Sequence, residues 1–191
     1  MKPHTDRMPP LARDQMDERQ KAVADELIAG PRKAVKGPFI ALLRSPELMA
    51  RLQKVGEYLR FDSALPVRVC EFATLIVARR MTQQFEWFVH VPLALKAGTS
   101  QATVDALREG RRPHDMSGEE ALVHDFVVEL LGTHGVSEAS YLACRAAFDE
   151  RGVVDLVALV GYFQAVSMVL NVAHTPPQAV EGVEGLSALP R

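Results

Sequence analysis

Between its prolines and glycines, the chain repeats apolar residues at three- and four-residue steps almost throughout. No stretch alternates with period two for long enough to make a strand. That pattern confines the chain to an all-α fold. A helix begins at Asp17, where Gln20 completes a capping box; it carries Ala22, Val23, Leu27 and Ile28 along one stripe and stops at Gly30-Pro31. Ser45-Pro46 opens another, a capping hydroxyl followed by proline at the first helical position, with Leu48, Leu52, Val55 and Leu59 on one face.

From Leu65-Pro66 an apolar segment runs through Cys70, Ala73 and Ile76 to a polar patch, Arg79 to Gln84. Phe85 to Ala97 follows and ends at Gly98, with Lys96 opposing the negative end of the helix dipole. Ser100 opens a short helix to Glu109. After an aperiodic loop from Gly110 to Met116, Ser117 and Glu120 form a second capping box ahead of a helix closed by Gly135. Ser137 opens a helix that ends at Gly152, and Val153 to His174 forms the last, terminated by Thr175-Pro176-Pro177. The expected organisation is one helical domain over residues 8–175 and a polar tail over 176–191, either disordered or laid across a partner subunit.

Glu71 and His90 lie 19 residues apart, as do Asp155 and His174, and each pair brackets an apolar stretch near proline. Two pseudo-repeated helical hairpins would produce this; so would coincidence.

Composition narrows the function. With 191 residues, 48 % of them hydrophobic, the chain suffices for one domain with a sizeable core. A net charge of −2 provides no broad basic field for a phosphate backbone, so nucleic acid is not the expected partner. The longest apolar stretch, Val153 to Val172, is interrupted by Asp155, Gln164, Ser167 and Asn171, and reads as a buried helix rather than a membrane span. The opening residues, MKPHTDRMPP, lack the apolar run of a signal peptide. Two cysteines, Cys70 and Cys144, sit in apolar helical patterns as small hydrophobes, and a reduced, cytoplasmic setting is expected.

Chemistry concentrates at Glu71, Gln83, Glu86, Trp87 and His90. Glu86 and His90, four apart, project from one helix face and can share a proton or a ligand. Glu71 would stand about 22 Å from Glu86 on an unbroken helix, so it joins them only if the chain turns around Arg79 to Gln84. Both acids have apolar neighbours, in VCEFA and FEWFV, where a carboxylate needs a partner and its proton affinity is open to adjustment. Such a cluster suits general acid–base catalysis. The same spacing also describes an exposed ion pair beside an unrelated glutamate, and two glutamates with a histidine are a workable metal ligand set, although the spacing is neither that of di-iron bundles nor of zinc helices. The other histidines, His4, His114, His124 and His134, read as surface residues, and His174 as a helix cap.

The stretch from Glu71 to Arg80, followed by FEWFVHVPLALKAG over Phe85 to Gly98, resembles the carboxymuconolactone decarboxylase family and the wider alkylhydroperoxidase D superfamily. Gly30-Pro31-Arg32, Gly37-Pro38-Phe39 and Ser45-Pro46-Glu47-Leu48 are similar to the beginning of its longer members, extending the likeness to roughly residues 8 to 177. The resemblance implies an all-helical fold, homo-oligomers such as trimers or hexamers, and a place in aromatic degradation. The peroxidase branch carries a Cys-x-x-Cys pair ahead of its histidine; counting back from His90, those positions hold Gln83 and Glu86, and neither can form a disulfide. Hydroperoxide reduction by a dithiol is therefore not expected. The decarboxylase branch implies cofactor-independent loss of CO2 from an unsaturated lactone acid, with a proton returned to carbon. On that reading His90 transfers the proton, Glu86 holds and tunes the imidazole, and Glu71 is a second acid or base. The substrate is a small carboxylate, for which Arg32 and Arg79 are the candidate cations, while Gln83, Trp87 and Phe39 wall its pocket. Each of these also has an ordinary surface or core reading.

Overall fold

The structure, a computed structural model, describes residues 5–187. His4 and the end of the tail lie outside that range. Among the described residues there are eight α-helices and no strand: α1 (Glu18–Ala29), α2 (Pro38–Leu42), α3 (Pro46–Phe61), α4 (Val67–Met81), α5 (Gln84–Lys96), α6 (Gln101–Arg108), α7 (Gly118–Thr133) and α8 (Glu138–Ala173).

Helix α4 is the centre. Every residue from Val69 to Arg79 is buried, the signature of a helix enclosed on all sides, and it packs chiefly on α8 and α5, with α7 completing the shell. Phe72, Leu75, Trp87, Phe126, Leu156 and Leu159 are among the fully buried side chains of this core. A smaller cluster joins α1, α2 and α3 through Val23, Leu27, Phe39, Leu42 and Met49.

Local chemistry accounts for most helix ends. The capping boxes Asp17/Gln20 and Ser117/Glu120 form, and Ser100 and Ser137 accept from the backbone N–H groups of Thr103 and Ser140. Ser45 makes no capping hydrogen bond, so α3 starts on Pro46 alone. The expected break at Gly152 falls instead at Asp149, whose backbone is non-helical (φ 60°, ψ −175°) and whose Oδ1 accepts from Gly152 N at 3.0 Å. Asp149 thus recaps the chain, and Gly152 is the buried residue a Cβ would drive against Phe148. Helix α2 has no clear sequence signal; it follows Gly37, whose positive φ of 56° and lack of a Cβ leave room for the Phe85 ring.

Among the described residues, the Asp155–His174 spacing does not mark a second hairpin like that of α4 and α5. Asp155 and His174 sit on and just beyond a single helix. Asp155 is buried and accepts from Tyr58 Oη, Ser63 Oγ and Ala64 N at 2.9–3.1 Å, which ties the α3–α4 connection to α8, while His174 is the left-handed cap of α8. Helix α8 is long and apolar enough to cross a membrane, but 56 % of the qualifying window is buried within the fold, as a core helix requires. The tail lies on its own chain: Leu186 is buried, its backbone exchanges hydrogen bonds with the Gln84 side chain, and Glu184 O accepts from Trp87 Nε1 at 2.9 Å.

Candidate active site

The turn between α4 and α5 makes the site. Thr82 adopts the left-handed conformation that ends α4, and Gln83 Oε1 accepts from Phe85 N at 2.7 Å to begin α5. The reversal brings α5 back along α4, and His90 Nδ1 meets Glu71 Oε2 at 2.5 Å. On the other edge of the ring, Nε2 lies 3.3 Å from Glu86 Oε2. All three groups are buried, with His90 only 2 % exposed. Phe163 of α8 meets the imidazole edge-on at 5.0 Å between centroids.

Burial alone would push the imidazole toward its neutral form. Hydrogen bonds to Glu71 and Glu86, with their charges, outweigh it, and the His90 pKa stands above its ordinary value. Both ring nitrogens are occupied by carboxylates, an arrangement that holds a proton; among the described residues no three His, Cys, Asp or Glu side chains group as metal ligands.

Glu86 and His90 line a cavity of about 320 Å³, walled by Phe39 from α2, Phe85 from α5 and Phe163 from α8. Glu71 does not line it: it borders an adjoining opening with Arg68 and Lys96, and the two share Arg60 and Phe61. Three cations line the His90 cavity, the exposed Lys36 and two arginines. The Arg32 guanidinium stacks over the Phe39 ring at 4.6 Å, and its Nε and Nη2 are buried without acceptors. Arg60, in the last turn of α3, also has a buried Nε with no acceptor. Burial depresses the Arg32 pKa, Tyr162 and Glu86 oppose that, and the nearby charge of Arg60 reinforces it. Close approach depends on Gly56, where a Cβ would fall 2.2 Å from Tyr162 Oη and 2.8 Å from Arg32 Nη2.

Five of the eight residues singled out from sequence therefore meet around His90: Glu71, Glu86, His90, Arg32 and Phe39. Three do not. Gln83 is the cap of α5 and donates from Nε2 to Asn171 Oδ1 at 2.7 Å, so it holds the α4–α5 turn to α8. Trp87 is fully buried on another face of α5, its indole N–H on the tail. Arg79 lies at the far end of α4, donating to the carbonyls of Arg108 and Ser187 and to Thr82 Oγ1, and it lines a different cavity. Sequence reasoning missed Arg60, Tyr162 and Phe163, because each sits inside an ordinary helical pattern whose facing neighbour is set only by tertiary packing. His124, expected at the surface, is buried and paired with Asp125 at 3.0 Å.

Residues 46–123 match the model of the carboxymuconolactone decarboxylase family. That segment belongs to the family. It spans α3 to α6 and enters α7, and so contains Glu71, Glu86, His90 and Arg60, whereas Arg32, Phe39 and the α8 side chains of the cavity lie outside it. Comparison with curated proteins gives no match. The two thiols are inert in place. Burial pushes Cys70 up to about 12 and Cys144 up to about 11, so neither is a thiolate near neutral pH.

Proposed function

We propose that this protein performs cofactor-independent acid–base chemistry, decarboxylation or a related proton transfer, on a small unsaturated lactone acid or carboxylic acid. One observation carries the reading: the Glu86–His90 edge and the unsatisfied N–H groups of Arg32 and Arg60 share one cavity. The arginines seat a substrate carboxylate, because buried guanidinium donors without acceptors are costly and an anion supplies them. The raised proton affinity of His90 makes it the proton donor at neutral pH.

The geometry supports a division of labour opposite to the one expected from sequence. Glu71, outside the cavity, holds Nδ1 and fixes the ring; Glu86, which lines it, is the second acid or base beside Nε2. In a decarboxylation the carbon–carbon bond to the departing carboxylate breaks and its electron pair enters the conjugated system. CO2 leaves, the proton on Nε2 passes to carbon, and Glu86 relays a replacement from solvent. In an isomerisation Glu86 takes a proton from one carbon and His90 returns one to another. The match of residues 46–123 to the decarboxylase family supports the first.

The test is incubation with a panel of unsaturated lactone acids in D2O, following CO2 release and deuterium incorporation by proton NMR. Glu86→Gln and His90→Asn are each expected to lower turnover by about 10²-fold or more. Full turnover by both variants overturns the assignment. Saturable binding with neither CO2 release nor exchange overturns catalysis in favour of a binding protein.

We also propose that copies of the chain associate. The outer face of α8 leaves Val154, Val157, Met168 and Val172 exposed, and this apolar strip supports the reading. Light scattering checks it, and a monomer overturns it.

A further inference from the structure

A second cavity, of about 560 Å³, opens between α4, α6 and α7 and shares no lining residue with the His90 cavity. Its floor is aliphatic, made by Ile76, Leu107, Val128 and Leu131. Four arginines border it. Arg111 is paired with Glu109 at 2.6 Å, and Arg112 with both oxygens of Asp125 at 2.9 and 3.1 Å; that same carboxylate holds His124. Arg79 and Arg80 have no carboxylate partner among the described residues, which leaves two positive charges unbalanced.

Their situations differ. Arg80 is exposed at the mouth. Arg79 is only 4 % exposed, spends its terminal nitrogens on carbonyl and hydroxyl oxygens, and keeps a buried Nε without an acceptor. A guanidinium withdrawn from water with neutral partners alone is an incomplete ion pair, and an anion completes it. Val128, 47 % exposed, leaves apolar surface beside these charges. No Phe, Tyr or Trp side chain lines the cavity, and its one ring, His124, is held by Asp125.

We propose that this cavity binds a small aliphatic carboxylate, its headgroup between Arg79 and Arg80 and its hydrocarbon body on the aliphatic floor. The volume suits a single ligand of that kind. The site is separate from the proposed chemistry: it is built on the far end of α4, two helical turns from Glu71, and does not depend on His90.

Isothermal titration of the full chain with decanoate, below its micellar range and at low salt, tests this. One saturable site is expected, and Arg80→Gln and Val128→Asp should each raise its Kd by about 10-fold or more, the equivalent of one charge-assisted contact. Both substitutions are at exposed positions, so the folded state is retained and circular dichroism verifies it. Arg32→Gln with Arg60→Gln should leave the affinity unchanged. The proposal is overturned by the absence of saturable heat, by loss of binding in the Arg32/Arg60 variant instead, or by decanol binding as tightly as decanoate.

Discussion

His90 shows how one buried residue couples stability to pH. An unfolded histidine titrates near about 6.5, and in the fold the value is raised, so the native state holds the proton over a range where the unfolded chain has lost it. The stabilisation is therefore complete below about pH 6.5 and disappears as the pH climbs through the folded-state value. Urea unfolding of the protein and of His90→Gln should show a stability difference that shrinks as pH rises; a flat or growing difference would contradict it. Glu71→Gln removes the negative charge beside Nδ1 while keeping an amide oxygen there, and should move the His90 titration, followed by NMR, downward. Because Glu71 lies outside the cavity, the kcat profile should shift to lower pH with KM little changed.

At the scale of elements, α3 and α8 meet through contacts that leave no slack. Gly56→Ala would place a methyl group inside contact distance of Tyr162 and Arg32. A loss of about 1–3 kcal/mol is expected from overpacking, together with a higher KM for a carboxylate substrate as Arg32 is displaced. Asp155 joins the same two helices at another level. Asp155→Ala strands the donors of Tyr58, Ser63 and Ala64, and should cost about 3 kcal/mol in chemical denaturation. A cost below about 1 kcal/mol would mean water replaces the carboxylate without loss. Helix α4 was legible as an apolar segment, and the α4–α5 turn was legible in the polar patch after it. The break at Asp149 was not, because an aspartate with positive φ inside a helical pattern leaves no periodic trace.

Over the whole molecule, the tail covers the flank of α5 that carries Gln84 and Trp87. It buries Leu186, accepts the Trp87 indole N–H and pairs Glu184 with Arg108. Truncation after Pro177 removes that burial and leaves a buried donor unmet, together about 3 kcal/mol. For a chain of this size the melting temperature should fall by roughly 6–12 °C. Trp87 is the one tryptophan, so a red shift of its fluorescence reports the exposure directly. An unchanged spectrum and melting point would show the tail to be dispensable.

The helical class, most helix limits and the pairing of Glu86 with His90 are properties of the sequence alone, because capping and a four-residue step act within one or two helical turns. Which arginine meets the histidine is not. Arg32 and Arg79 look alike as isolated cations near apolar segments, yet Arg32 stacks on Phe39 beside the His90 cavity while Arg79 is enclosed at the far end of α4. Arg60 and Tyr162 carry no local mark at all. Their neighbours come from helices far away in the chain, and only the packing of α2, α3 and α8 around α5 decides which charges share a cavity with His90.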